Sequence, residues 1–158
     1  MPTFVLVRHA KAERSPRVAD LDRALADRGR SDAALIGAFL AGAVPHPRAL
    51  VSSPARRARE TAERVAAAAG WNASITVDDR LYGGSVADLL AVLAEQRTDS
   101  TIAFGHEPVW SATISAIVGG GTVGMVTAAA ACIEGEPEPG GGVLRWMIVP
   151  AALGGGPS

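Results

Sequence analysis

The feature that most constrains the fold is an alternation between short apolar runs and longer segments with helical periodicity. The apolar runs predict four strands, near residues 3–8, 48–52, 74–77 and 100–105. The longer segments predict four helices, near residues 28–43, 55–69, 86–96 and 109–118. Strands that alternate with helices pair in parallel and are covered on both faces. The predicted fold class is therefore α/β, a three-layer sandwich with a mostly parallel central sheet.

The C-terminal part of the chain has a different pattern. Two apolar stretches, 125–134 and 143–150, flank the sequence GEPEPGGG, which is typical of a hairpin with a glycine-rich loop. We expect this hairpin to extend one edge of the sheet in antiparallel fashion. Residues 1–150 then form a single domain. Residues 151–158, AALGGGPS, are predicted to be a flexible tail because they offer little to bury.

Composition narrows the possible partners. The 158 residues are 48% hydrophobic and 20% charged, which is typical of one domain with a buried core. The formal net charge of -1 provides no basic face for nucleic acid. No apolar run reaches the ~20 residues of a membrane span, and the N-terminus lacks the features of a signal peptide. We therefore expect a cytoplasmic protein without a nucleic-acid or membrane partner.

The single cysteine, Cys132, lies in the apolar sequence TAAAACIE. This setting predicts a buried, unreactive thiol, and one cysteine cannot form a disulfide within the chain.

Polar residues follow three of the predicted strands, at the sheet edge where open α/β folds bind ligands. The first strand ends in Arg8 and His9. The second is followed by SSPARRARE, where Ser52 or Ser53 is expected to cap a helix whose first turn carries Arg56, Arg57 and Arg59. A helix N-terminus already carries partial positive charge, so arginines there favour a bound anion.

Another strand ends in IAFGHEP, which places His106 at the same edge. The third histidine, His46, lies in a loop and is expected to be solvated. Each feature alone is weak evidence for a site. Together, two histidines and two arginines in one crevice would repel each other unless an anion neutralised them. A phosphoryl group suits the bidentate fork of arginine and the N–H groups of helix N-termini.

Other phosphate or metal chemistries fit the sequence less well. The sequence DLD at 20–22 resembles an aspartate-nucleophile motif, but His9 occupies the position after the first strand, so a solvated loop is the better interpretation. The sequence GGGTVG lacks the ending of a phosphate-binding P-loop and precedes a strand. No histidine spacing indicates a metal site, so neither a metal nor a cofactor is predicted.

The chain resembles the histidine phosphatase superfamily, whose first strand ends in an Arg-His-Gly signature, and within it the small phosphohistidine phosphatases of the SixA type. The resemblance runs from about residue 3 to residue 150. It implies that His9 becomes phosphorylated and that Arg8, Arg57 and His106 complete the phosphate pocket. Arg57 is chosen over Arg56 because the family arginine directly precedes Ala, as in SPARRA.

Further site residues are implied by the same resemblance. Arg23, in LDRALADRG, resembles an arginine that small members place over the substrate, although Ala26 replaces the usual capping threonine and Asp27 is the expected substitute. Lys11, in RHAKAE, is a second candidate for substrate binding. The sequence DDRLYGG puts Asp79 in the position of a general acid, although a solvated turn residue is an equally good interpretation.

The chemistry implied for His9 requires an unprotonated ring nitrogen. We expect the neighbouring cations to disfavour a further positive charge on His9, and a backbone carbonyl to hold the proton on its other nitrogen.

The predicted function is a metal-independent phosphatase that acts through a phosphohistidine intermediate, with a phosphohistidine on another protein as substrate. The alternatives are a phosphatase of small phosphomonoesters and a non-catalytic module that binds phosphoproteins.

Overall fold

Six strands and four α-helices make up the fold in a computed structural model, which describes residues 1–155. The strands are β1 (Thr3–Arg8), β2 (Ala49–Ser52), β3 (Ile75–Val77), β4 (Ser100–Gly105), β5 (Ala130–Gly135) and β6 (Gly142–Ile148). The helices are α1 (Asp27–Ala43), α2 (Arg56–Ala69), α3 (Val86–Glu95) and α4 (Val109–Ile117). Short 3-10 turns lie at Asp20–Asp22, Asp79–Leu81 and Pro150–Leu153.

All six strands belong to one sheet with the order β3-β2-β4-β1-β5-β6. Strands β1 to β4 pair in parallel, whereas β5 runs antiparallel to both β1 and β6. The predicted mixed sheet with an antiparallel C-terminal edge hairpin is confirmed. Because β4 lies between β1 and β2, the carboxyl ends of these three strands are neighbours.

Helices cover both faces of the sheet, as predicted. Successive side chains of a strand point to opposite faces of the sheet, and in the central strands both sets are buried. Val5 and Val7 of β1 pack in the core on the side of α1 and α2, and Phe4 and Leu6 pack in the core on the side of α3 and α4. The three-layer α/β sandwich is therefore confirmed.

The C-terminal region departs from the predicted bounds. Strand β5 begins at Ala130, because residues 125–129 form a turn whose Ala129 N–H bonds the Val126 carbonyl. Residues 151–153, which lie in the segment 151–158 predicted to be a flexible tail, belong to the last 3-10 turn, Pro150–Leu153. Leu153 packs against the core beside α1. The composition of this segment did not indicate this contact. The rest of the predicted tail, 156–158, lies outside the described residues.

The caps expected for α1 and α2 are wrong. Helix α2 begins at Arg56 with Ala55 as its N-cap, and no side chain caps it. Helix α1 begins after Ala26 without a side-chain cap, and Asp27 forms an ion pair with Arg30 instead.

Two isolated predictions are confirmed. Cys132 is buried, and burial raises the pKa of its thiol. His46 is exposed. None of the helices within residues 1–155 is long and apolar enough to cross a lipid bilayer.

Candidate active site

The candidate site lies where β1, β4 and β2 end side by side. The backbone N–H of His9 donates to the Gly105 carbonyl at 2.8 Å, and the N–H of Ser53 donates to the Phe104 carbonyl at 3.0 Å. These bonds continue the pairing of the sheet by one residue beyond β1 and β2. The residues that follow the three strands are therefore held by the backbone of the sheet itself.

A glycine ends β4 because the backbone there touches the Trp110 indole. A Cβ atom on Gly105 would lie 2.1 Å from the indole ring, and Trp110 is almost fully buried in the core. No other residue fits this close approach without displacing the indole. His106, the next residue, is thereby fixed above the end of β4.

His9 is held in one tautomer. Its Nδ1 lies 2.7 Å from the Ala10 carbonyl oxygen. A carbonyl only accepts, so Nδ1 carries the proton and Nε2 keeps its lone pair. Burial lowers the pKa of His9 to about 3, with smaller contributions in the same direction from His106, Arg57 and Arg8 and an opposing one from the bond to the Ala10 carbonyl. This lowered pKa is consistent with the expected neutral ring, and desolvation is a larger cause of it than the neighbouring cations.

His106 lies beside His9, with the two ring centroids 5.3 Å apart. Its Nε2 is 2.7 Å from the Ser53 hydroxyl, which also accepts the Ala55 N–H. Burial, and after it the charge of Arg57, lowers the pKa of His106 to about 4. Both histidines of the crevice are therefore neutral at pH 7.

Arg57 points into the crevice, whereas Arg56 points out of it. The Arg57 side chain is 7% exposed, and its Nη2 lies 3.5 Å from His106 Nδ1. Arg56 is exposed and forms an ion pair with Glu60 one turn along α2.

Arg8 reaches the same crevice from the end of β1. Its Nη1 donates to the Met125 carbonyl at 2.8 Å. Burial lowers the pKa of the Arg8 guanidinium, and the nearby charge of Glu107 opposes that change. Within residues 1–155, the buried Nε atoms of both Arg8 and Arg57 lack a hydrogen-bond partner.

The remaining predicted site residues lie farther out. Arg23 is half-buried and bonds the Asp20 carboxylate and the Glu13 carbonyl. Lys11 contributes its backbone, because its carbonyl accepts the Ala26 N–H at the start of α1. Asp79 is exposed at the start of a 3-10 turn. The neighbouring Asp78 forms the ion pair with Arg80 and caps that turn.

Comparison with known proteins decides the family. The sequence model described as "Histidine phosphatase superfamily (branch 1)" matches residues 4–83, which include Arg8, His9 and Arg57. The chain belongs to the histidine phosphatase superfamily. Membership of this superfamily supports a phosphatase enzyme.

The chain is also similar to a mycobacterial relative and to solved structures. An uncharacterized protein of Mycobacterium tuberculosis is 37% identical over 143 residues, which span 88% of this chain and 86% of the relative. The structure of the protein histidine phosphatase SixA complexed with tungstate has a TM-score of 0.85 at 23% identity, covering 96% of this chain and 99% of that one. A structure from Agrobacterium tumefaciens assigned as phosphohistidine phosphatase SixA has a TM-score of 0.82 at 25% identity, covering 94% and 99%.

The sequence interpretation missed three polar groups of the crevice. Asp20, expected to be solvated, accepts bonds from Arg57, Arg23 and Tyr82. The crevice therefore contains an acidic residue that the sequence did not predict there. The available signal was the placement of Arg57 in the crevice, because a buried arginine requires an acceptor.

Thr61 and Ser53 are the other two missed groups. The Thr61 hydroxyl accepts the Ala10 N–H at 2.9 Å and donates to the Arg57 carbonyl at 2.7 Å. It therefore joins the end of β1 to the first turn of α2. The Ser53 hydroxyl holds His106 instead of capping α2.

A cavity of about 250 Å³ opens beside His106. Its apolar wall is formed by Leu81, Leu89, Pro108, Val109 and Trp110. Within residues 1–155, no group of three or more His, Cys, Asp or Glu side chains is arranged to hold a metal ion.

Proposed function

We propose that this protein is a phosphatase in which His9 is the nucleophile, Arg8, Arg57 and His106 hold the transferred phosphoryl group, and the substrate is a phosphohistidine on another protein. The observation that carries the proposal is the bond between His9 Nδ1 and the Ala10 carbonyl. It leaves Nε2 as a lone-pair nitrogen in a ring that stays neutral far below pH 7.

The reaction has two steps. His9 Nε2 attacks phosphorus and forms an N–P bond, while the bond from phosphorus to the leaving nitrogen breaks and its electron pair stays on that nitrogen. A water molecule then attacks the phosphorus of phospho-His9. The N–P bond breaks, Nε2 recovers its lone pair, and inorganic phosphate leaves with the oxygen and both protons of the water.

The buried donors of the crevice support an anionic ligand. Arg8 Nε and Arg57 Nε are buried donors with no partner among residues 1–155. Buried donors of native proteins are nearly always paired, so an acceptor belongs at this point. A phosphoryl group supplies three equatorial oxygens, and fixed guanidinium groups stabilise the charge that spreads over them in the transition state.

The shape of the site favours a substrate carried by another protein. The connections that follow β2 and β4 are short, since α2 begins at Arg56 and α4 at Val109. Asp20 and Tyr82 at the rim are exposed. An open rim admits a phosphorylated side chain of a second protein, and an imidazole leaves phosphorus with little help from an acid. Lys11 and Arg23 are the proposed contacts to that substrate.

The test compares two substrates on the purified enzyme, a phosphohistidine protein and p-nitrophenyl phosphate. We expect turnover of the phosphohistidine protein and its loss in His9→Ala, with His46→Ala as the control because His46 is an exposed histidine outside the site. Quenching with labelled substrate should trap an acid-labile, base-stable phosphate on His9.

Other outcomes would change the assignment. Label on a serine or an aspartate would overturn the nucleophile. Faster turnover of the phosphomonoester would favour the small-substrate alternative. Binding of the phosphoprotein without turnover would favour the non-catalytic module. Activity lost to EDTA and restored by Mg²⁺ or Zn²⁺ would contradict the metal-independent mechanism.

A further inference from the structure

Asp20 binds one particular edge of the Arg57 guanidinium group. The backbone carbonyl of Asp20 accepts from Arg57 Nη1 at 2.7 Å, and its carboxylate Oδ2 accepts from Arg57 Nη2 at 3.0 Å. Nη1 and Nη2 form the end of the planar fork. One residue on a 3-10 turn therefore occupies this end with two parallel bonds, a geometry that restrains both the position and the rotation of the group.

The other edge of the same guanidinium has only one long contact among residues 1–155, from Nη2 to His106 Nδ1 at 3.5 Å. That edge is formed by Nε and the second hydrogen of Nη2. Nε is buried and has no partner among residues 1–155, and Nη2 lies beside His106 Nδ1. If a phosphoryl oxygen replaces the long contact from Nη2 to His106, two oxygens of one phosphoryl group can meet this edge in the bidentate manner usual for arginine. Asp20 and the phosphoryl group can therefore hold Arg57 at the same time.

Asp20 is itself fixed by two further donors. Tyr82 donates its hydroxyl to Oδ2 at 2.7 Å, and Arg23 donates Nε to Oδ1 at 3.1 Å. The Tyr82 bond, together with those from Arg57 and Arg23, lowers the pKa of Asp20 to about 2 against the effect of burial. The carboxylate is therefore anionic at neutral pH and has three partners that define its orientation.

We propose that Asp20 is the positioning residue of Arg57: it holds the Nη1/Nη2 end so that the Nε/Nη2 edge faces the phosphoryl group. The proposal rests on the phosphatase function proposed above. A different arrangement, in which the Asp20 carboxylate competes with phosphate for Arg57, would have the opposite consequence for binding.

The first test is a double-mutant cycle on turnover. We expect Asp20→Ala to lower kcat roughly 10- to 100-fold, because a small misplacement of a group that contacts the reacting atoms has an effect of this size. Asp20→Asn should recover part of the loss, since one amide oxygen can still accept. In the Arg57→Ala background, Asp20→Ala should cost nothing more. The control is Asp22→Ala, which removes an exposed carboxylate of the same turn.

The second test needs no turnover. In the NMR spectrum of the wild type, the Arg57 Nε–H should give a sharp signal that shifts when inorganic phosphate is added. In Asp20→Ala the signal should broaden and phosphate should bind more weakly.

If the wild type neither turns over substrate nor shows the shift, the proposed function fails. If the wild type does both, three results would overturn the role of Asp20: unchanged kcat in Asp20→Ala, tighter phosphate binding in Asp20→Ala, or independent effects of Asp20→Ala and Arg57→Ala.

Discussion

Replacing His9 by asparagine should make the protein less sensitive to acid. The pKa of His9 in the folded protein is about 3, mainly because of burial, whereas a histidine in the unfolded chain titrates near 6.5. Between pH 6.5 and pH 3, His9 binds a proton in the unfolded state but not in the folded state. Stability therefore falls as the pH falls from 6.5 towards 3. Asparagine does not titrate, so the His9→Asn variant lacks this contribution.

The size of the effect follows from the two pKa values. At pH 7.5 the unfolded histidine is almost entirely neutral and the contribution is close to zero. At pH 5 it is almost entirely protonated, and the lost stability is about 2 kcal/mol. The stability of His9→Asn relative to the wild type should therefore rise by about 2 kcal/mol between these pH values. This comparison cancels the other titrating groups, which both proteins share.

The assay is urea unfolding of both proteins at pH 7.5, 6 and 5, followed by circular dichroism. The relevant quantity is the difference in unfolding free energy between the proteins at each pH, since the asparagine also changes packing by an amount that does not depend on pH. A difference that stays constant from pH 7.5 to 5 would show that His9 accepts a proton in the folded state, and the neutral nucleophile would be refuted.

Two further substitutions test the frame of the site. Arg57→Ala should lower kcat/KM by several orders of magnitude and Arg56→Ala should change it little, because only Arg57 is buried in the crevice; equal losses would mean that the register of α2 is wrong. Thr61→Val should destabilise the fold by about 1–3 kcal/mol, since it leaves the buried Ala10 N–H without its acceptor. The matched control is Thr101→Val, whose buried hydroxyl has no partner within residues 1–155 and should cost much less in the same denaturation assay.

The sheet and its helices were predictable because their signals are local. An apolar run predicted strand β1 at residues 3–8, and the structure has it there. Strand β4 likewise occupies its predicted residues, 100–105. The hairpin was predicted to begin at 125, where the chain is equally apolar. Residues 125–129 instead form a turn, from which Ala128 and Ala129 still bond the backbone of His9 and Arg8. Apolar composition alone does not distinguish a buried turn from a strand. The packing of Leu153 on α1 is likewise a tertiary contact with no local signal.

The candidate site was predictable in part for the same reason. His9 and His106 were predicted to lie together because both follow strands of one parallel sheet. The carboxyl ends of such strands lie at the same edge, independently of the paths of the loops. Asp20 belongs to a loop without periodicity, and its partner Arg57 is 37 residues away in the sequence. The path of that loop is set by packing against α2, so only the folded structure could bring the carboxylate to the arginine.

The remaining prediction concerns Asp79, whose proposed role as a general acid depends on the leaving group. It lies on the 3-10 turn that leads to Tyr82, and the Tyr82 ring packs edge-on against His106 with centroids 5.7 Å apart. An alkoxide needs a proton to leave, and general acid catalysis contributes roughly 10²–10⁴-fold, whereas an imidazole needs far less help. Asp79→Asn should therefore slow alkyl phosphate monoesters strongly and leave phosphohistidine hydrolysis nearly unchanged. The measurement is the ratio of kcat/KM for the two substrate types in the wild type and the variant. An unchanged ratio would reduce Asp79 to a solvated turn residue. An enzyme without that acid would have little capacity for ordinary esters, so the same result would strengthen the assignment to phosphohistidine.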